Sequence, residues 1–553
     1  MTDPQGEHTF DYVIAGAGTA GCVLANRLSE DPNNRVCLIE AGGKDSHPFI
    51  HVPALVGAAL TLKKYSWGLE TVPQEHLNGR RIPVPRGRVL GGSSSVNGMV
   101  YFRGDPKDYD DWAAEGNTGW SHAEILPYFI RSENNEKYPG SPWHGHRGPV
   151  RVSDIKNPNP LNRVFADAMN SLQFRHCEDF NGPTPEGYGL RQGAIRDGRR
   201  ESGVTAFLKP ARHRPNLTVM TDATVARVMI ENGRATGVEI LLGGERRRIA
   251  ARREVILSGG AVGSPQMLLL SGIGDGASLQ KLGIAVQHHL PAVGENYHDH
   301  VAANVQMWTS NPQSYGISLK SVPRGAWNVL QYLLARQGPF ASNVFESHAV
   351  LRSTAGLDRP DIQVVFQPAR RNQSAFPLPL GHGFVVSIVL LHPKSRGRLT
   401  LASPDPRAAP LIDPKLLSAP EDFEPLVRGL KLARRIFATP AFAPYRATEF
   451  LPGSAVESDD TWKDYVRATA ATVHHLAGSC RMGTGDAAVV TPELKVRGIE
   501  GLRVADASIF PKLMGGNTNA PVVMVAEKAA DMILGHTPPA PLHLPQEREI
   551  WRN

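Results

Sequence analysis

The 553-residue chain predicts an α/β fold built in two parts. A strand, a glycine turn, a helix and a second strand follow one another within residues 11–42. A strand, a glycine turn and an apolar helix recur at 254–275. Between about 301 and 470 turns of this kind disappear, and strand-like runs alternate with longer helical ones. The first two observations predict a layered sheet that binds a nucleotide, and the third predicts a separate sheet-and-helix domain.

The opening strand is DYVIA (11–15), an apolar run closed by GAGTAG (16–21). A helical pattern continues through Leu28, and RVCLIEAG (35–42) reads as the second strand. This is the spacing of a βαβ unit. Gly16 permits the tight turn, Gly18 lets the backbone approach a pyrophosphate, and Gly21 lets the helix pack closely on the strand. The helix N-terminus turns unpaired N–H groups and a positive dipole end toward the phosphates. Glu40 ends the second strand, 24 residues after Gly16. A carboxylate there can accept from ribose hydroxyls and would repel a 2′-phosphate. The pattern therefore predicts an adenine dinucleotide and leaves FAD and NAD open.

PRGRVLGGSSSVNGMVYFRG (85–104) brings Gly91, Gly92 and the serines 93–95 into one donor-rich turn, suited to a pyrophosphate or a flavin edge and also to an ordinary surface loop. NLTVMTDATVARVMIENGRATGVEIL (216–241) alternates apolar and polar positions about the turn 231–233, a β-hairpin signal. EVILSGGAVGSPQMLLLSGIGD (254–275) is the second crossover. In the middle region DIQVVFQP (361–368) and GFVVSIVLLHP (383–393) read as strands and EDFEPLVRGLKLARRIF (421–437) as a helix. TVHHLAGSCRMG (472–483), the strand GLRVADAS (501–508) and MGGNTNAPVVMVAEKAADMIL (514–534), which ends in a helix, restore dense motifs. The Pro-rich stretch 537–553 reads as a loosely held tail.

Charge and cysteine content exclude several classes. Lys and Arg total 60 against 53 Asp and Glu, a net charge of +7. An excess this small in a chain this long does not predict nucleic-acid binding, and it is compatible with peripheral contact at an anionic membrane. The four cysteines form no CxxC pair, so neither a zinc site nor a disulfide framework is expected. The sequence contains no apolar run of about 18 residues and no leader-like pattern in MTDPQGEHTFDYVI. These features predict a cytoplasmic protein. No metal is expected, because the adjacent His474 and His475 have no third ligand at suitable spacing.

Five motifs in order, GAGTAG with Glu40, RVLGGSSSVNGMVYFRG, GAVGSPQMLLLSGIG, HHLAGSCRMG, and LRVADAS followed by GNTNAPVVMVAEKAAD, resemble the glucose-methanol-choline (GMC) oxidoreductases over about 11–534. IPVPRGRVLGGSSSVNGMVY and LHPKSRGRLTLASPDPRAAPLIDP are similar to the bacterial aliphatic alcohol and choline dehydrogenase branch. The resemblance implies FAD and a Rossmann-like FAD-binding domain of the p-hydroxybenzoate hydroxylase type, assembled from 1–160, 195–300 and 471–536. A substrate domain is implied at 161–194 and 301–470. Implied FAD contacts in the first motif are Gly16, Gly18, Thr19, Ala20, Gly21, Glu40 and Ala41, with Trp67 beyond it. The second motif supplies Arg88, Val89, Gly91, Gly92, Ser93, Asn97, Gly98, Met99 and Val100. Val225, Asp506, Ala507, Asn517, Thr518 and Asn519 complete the set. Where covalent members carry a histidine this chain has Val96, which implies noncovalent FAD.

The resemblance places the catalytic histidine at His475 and its partner at Asn517. An alcohol carbon releases hydride only as its hydroxyl proton leaves, and a neutral histidine suits that base role near neutral pH. The amide N–H of Asn517 could hold the alkoxide-like oxygen. Val473, His474 and Glu346 are pocket candidates, Glu346 because choline-handling relatives place a carboxylate in this region to meet the ammonium. A packing or solvated role is the alternative for His474 and Glu346, and Cys480 reads as a small packing residue. The expected reaction is FAD-dependent oxidation of a primary alcohol to an aldehyde, with electrons passed to a quinone-like acceptor or dioxygen. An FAD-containing hydroxynitrile lyase of the same fold is the alternative, and a nicotinamide-dependent dehydrogenase or a non-catalytic dinucleotide binder is a third reading. Oligomeric state is left open.

Overall fold

Residues 8–370 and 380–546 are described in the computed structural model, and more than half of their strands form two seven-stranded sheets, the rest pairing in small two- and three-stranded ones. The first begins with the βαβ unit. Strand His8–Ala15 pairs in parallel with Val36–Ile39 on one side and with Glu245–Leu257 on the other. Leu217–Met220 extends one edge in parallel, and Leu502–Val504 joins Glu245–Leu257 in parallel. Every residue of Val36–Ile39 is buried, as a strand covered on both faces requires. The first strand starts before the DYVIA core because Phe10 and Tyr12 both find buried positions. The hairpin lies where its alternation places it, Ala223–Glu231 against Arg234–Leu242, with Asn232 and Gly233 both in the left-handed region that such two-residue turns use.

Two helices cover this sheet side by side, Thr19–Leu28 and Asn519–Leu534. Gly21 allows the first to sit directly on its turn, since a Cβ there would come 1.9 Å from the carbonyl oxygen of Gly16. Arg27 grips the carboxylate of Glu527 through Nε and Nη2 at 2.9 and 2.7 Å, joining helices 500 residues apart.

The second sheet is antiparallel, in the order Thr448–Leu451, Val301–Thr309, His382–Leu390, Ile362–Gln367, Ser347–Leu351, Gly187–Leu190. All nine residues of His382–Leu390 are buried, yet its two faces differ. Phe384, Val386, Ile388 and Leu390 pack in the cluster that contains Leu426, Leu430, Ala433 and Ile436 of helix Phe423–Phe437. Ser387 and Val389, on the other face, border a cavity beneath the sheet. The period-two alternation thus makes this sheet the roof of the site. Residues 537–546 form no helix or strand and are held by the Leu542 N–H, which donates to the Ala123 carbonyl at 2.8 Å. The rest of the expected tail, 547–553, lies outside the described residues.

Candidate active site

A cavity of ≈ 560 Å³ lies between the two sheets, with glycine turns at one end and His475 at the other. Gly92 has φ +53°, and a Cβ on it would lie 2.8 Å from the Cα of Gly18. The turns at 16–21 and 91–93 can touch only because both are bare there. Helix Thr19–Leu28 begins at Gly18 with no side-chain cap, so its first N–H groups are free of a capping side chain. Glu40 accepts from the backbone N–H of Ala17 (3.0 Å) and Gly42 (2.8 Å) and borders the cavity, and burial pushes its carboxyl up to about 7. Asp506 accepts from Gly260 N–H (2.8 Å), the Ser264 hydroxyl (2.6 Å) and Ser508 N–H (2.8 Å), which pins the third glycine turn. Thr19 donates to Asn519 Oδ1 at 2.9 Å, tying the first motif to the last. A bare double turn, an uncapped helix N-terminus and a carboxylate at the strand end fit the pyrophosphate and ribose of an adenine dinucleotide.

The expected residues largely converge on this wall. Gly16, Gly18, Thr19, Ala20, Glu40 and Ala41 border the cavity, as do Trp67, Gly92, Ser93, Asn97, Gly98, Met99 and Val100. Val225, Asp506, Ala507, Asn517, Thr518 and Asn519 do so from the remaining segments, and Val473, His474 and His475 close the far end. Four expected contacts do not reach the wall. Gly21 is turned onto Gly16, and Gly91 faces Ser95 while its N–H donates to Ala17 O at 2.8 Å. Val89 is buried with Ile50 and Tyr65, and the exposed Arg88 lies over the Trp67 ring, 5.1 Å from its centroid. Arg86, two residues earlier, is the arginine at the wall.

The expectation of a pocket carboxylate at Glu346 is corrected. Its side chain is fully buried outside the cavity. Oε2 accepts from Asn159 N–H (2.9 Å) and the Asn162 amide (2.5 Å), and Oε1 from the Tyr315 (2.8 Å) and Ser342 (2.5 Å) hydroxyls. Four donors leave it no side to offer a substrate. Its neighbour Phe345 borders the cavity instead, after Val344 at φ +69°, a strained angle for a β-branched residue.

His475 is held from three directions. Its backbone N–H donates to Asp299 Oδ1 at 2.7 Å, its Nδ1 lies 2.9 Å from His300 Nδ1, and its Nε2 lies 3.0 Å from Asn517 Nδ2. Before it, His474 takes φ +67°, a turn secured where Arg86 Nη2 donates to the His474 carbonyl at 2.6 Å. Asn517 sits on a loop anchored by Gly515, whose N–H donates to Asp108 Oδ2 at 2.5 Å.

The hydrogen bonds decide which nitrogen of His475 is basic. His300 Nε2 lies 2.9 Å from the Leu391 carbonyl, which can only accept, so that nitrogen carries a hydrogen. Burial pulls His300 down to about 4, so the ring is neutral and its Nδ1 is an acceptor. His475 Nδ1 therefore donates, and its lone pair falls on Nε2, beside the Asn517 amide. Burial also holds His475 well below the ordinary histidine range, reinforced by His300, His474, Arg86 and Arg191.

Asp299, His300 and Arg191 escaped the sequence reading. NYHDHV at 296–301, two histidines and an aspartate just ahead of a strand, was the available signal. Arg191 borders the cavity with Nε and Nη2 buried and unpartnered among the described residues, and burial lowers it to about 9.

The family model for GMC oxidoreductase matches residues 10–302 with its N-terminal part and 393–526 with its C-terminal part. The chain belongs to the GMC oxidoreductase family. Two relatives of this GMC oxidoreductase match nearly end to end. The alcohol dehydrogenase (acceptor) of Pseudomonas putida is 42% identical over 527 residues, 95% of this chain and 96% of that one. The oxygen-dependent choline dehydrogenase of Rhizobium etli is 44% identical over 548 residues, 98% of each. A solved formate oxidase variant of Aspergillus oryzae, described for its FAD modification, is similar at a TM-score of 0.89 and 27% identity over 97% of this chain and 99% of that one. The GMC oxidoreductase described here is thus a flavoprotein acting on CH–OH donors.

Proposed function

We propose that the protein oxidises an uncharged primary alcohol to its aldehyde, with His475 Nε2 as the general base and FAD held without a covalent bond. The bond chain from Leu391 through His300 carries this reading, because it sets the lone pair of His475 on the nitrogen beside Asn517. A hydroxyl lodged between these side chains gives its proton to Nε2, and the Asn517 amide N–H holds the oxygen as negative charge develops. When bound, FAD supplies the acceptor for the hydride from the alcohol carbon. Its phosphates would be held by the glycine turns and the helix at Thr19, its ribose by Glu40, and its pyrimidine end by the Asn519 region. Val96, aliphatic and at the cavity wall, offers no nucleophile for a covalent bond. The first large sheet is made of strands at 8–15, 36–39, 217–257 and 502–504 and the second of strands at 187–190, 301–309, 347–351, 362–367, 382–390, 448–451 and 471–472, which supports the division into an FAD-binding and a substrate-binding part with 471–472 on the substrate side.

Arg191 supports the choice of an uncharged substrate. With Arg86 it makes the reactive end positive, and Glu346 is sealed away from it. A quaternary ammonium would meet repulsion with no carboxylate to balance it.

Mixing the protein anaerobically with aliphatic, benzylic and choline-type alcohols tests this, followed by flavin absorbance near 450 nm. Bleaching by an aliphatic or benzylic alcohol at concentrations where choline is inert is expected, and re-oxidation by dioxygen or a quinone then identifies the acceptor. Absence of bleaching by every alcohol, or cyanohydrin cleavage with the flavin still oxidised, sinks the reading. Acid precipitation should leave yellow flavin in the supernatant.

A further inference from the structure

The helix Val322–Ala335 is folded inside out. It rests on the body through Tyr332, buried with its hydroxyl donating to Gly198 O at 3.1 Å, with Asn328 and Gln331 half-buried on the same side. The apolar side chains face away. Val322, Trp327, Leu330 and Leu333 are exposed, Leu334 is 78% exposed, and Leu319 just ahead of the helix is 93% exposed. At 100° per residue this apolar arc spans roughly 160°, the width that a surface helix ordinarily turns to its core. So continuous an apolar face marks an interaction site.

The charges say what covers it. Between Val301 and Phe345 the sequence holds three cations, Lys320, Arg324 and Arg336, and no carboxylate. All three are exposed, two at the start of the helix and one at its end, so cations bracket the apolar face. An apolar stripe with a tryptophan, bordered by cations, suits the headgroup and acyl boundary of an anionic bilayer. A second copy of the chain would bring the same cations against each other. Among the described residues no helix is long and apolar enough to cross a membrane, so this helix lies on the surface. It leads into Pro339–Ala341, which packs against Pro53–Leu55, and Val56 and Gly57 right after the latter and Phe345 four residues after the former border the cavity.

We propose that helix Val322–Ala335 lies in the interface of an anionic phospholipid membrane, with Leu333 and Leu334 among the acyl chains and Lys320, Arg324 and Arg336 at the phosphates, which sets one wall of the cavity beside the lipid. Cosedimentation of the flavin-loaded full chain with phosphatidylcholine vesicles, with and without phosphatidylglycerol, tests this. Wild type is expected to pellet with phosphatidylglycerol vesicles and to be released by salt. The double substitution Leu333→Glu with Leu334→Glu should lower partitioning by about tenfold or more, and Lys320→Ala with Arg324→Ala should weaken it and blunt the salt dependence. Unchanged flavin content and unchanged alcohol oxidation with a soluble dye acceptor show that these variants are folded. Wild type staying in the supernatant with phosphatidylglycerol, or the leucine variant pelleting as wild type does, overturns the proposal. So does light scattering in which wild type is a dimer that the leucine variant dissociates while vesicles bind neither.

Discussion

His475 draws its chemistry from atoms far from its own motif. The Leu391 carbonyl orients His300, His300 sets the tautomer of His475, and Asp299 holds the backbone N–H of His475. His475→Ala should keep its flavin and lose about 10²- to 10⁴-fold in kcat. Turnover within about threefold of wild type would remove His475 from the base role. The pH profile carries a second expectation. Burial disfavours the charged form of His475, so the base stays neutral as pH falls through the ordinary histidine value of ~6.5, and the acid limb of kcat/KM should lie below that value. His300→Ala opens the buried site to water and so weakens the desolvation that opposes protonation of His475. Its acid limb should therefore move up toward ~6.5 while kcat falls. An unmoved limb would leave His300 as packing alone.

At the scale of elements, the glycine turns and the strands they connect were legible because their signals are local. Period-two alternation, the Asn232–Gly233 turn and the 16–21 spacing all place backbone within a few residues. Gly21 shows how little tolerance this leaves. Gly21→Ala sets a Cβ 1.9 Å from backbone that cannot move aside, so helix Thr19–Leu28 must lift from its turn. A loss of at least ~1–3 kcal/mol is expected, read as a lower Tm together with a reduced flavin-to-protein ratio. Helix Val322–Ala335 is the converse case. Its amphipathic pattern lies plainly in the sequence, but the pattern cannot say which face turns outward, and the usual assumption is inverted here.

The whole molecule is closed by one buried carboxylate. Glu527 is fully buried and meets both Arg27 and Arg131, which joins helices Thr19–Leu28 and His122–Ser132 to Asn519–Leu534. Glu527→Ala would leave Arg27, half-buried beside the core, with only Glu30 as its partner. A cost of about 1.5–3 kcal/mol is expected, checked by chemical denaturation. Arg27→Met with Glu527→Leu should recover much of it, since apolar replacement of both partners removes the weakly compensated charge beside the core.

The sequence by itself determined the order of turns, strands and helices and the dinucleotide signal, because glycine spacing and apolar period act over a few residues, whereas His475 and Asn517 were singled out by the family resemblance. It could not decide among side chains whose partners lie a hundred or more residues away. Glu346 looked available until Asn159, Asn162 and Tyr315 surrounded it, and Arg88 was favoured over the Arg86 that reaches the wall. His300, Arg191 and the outward face of Val322–Ala335 likewise took their meaning only from the packing of the two sheets. Hydrogen-bond satisfaction, burial and charge are properties of neighbours in space, and only the tertiary structure supplies those neighbours.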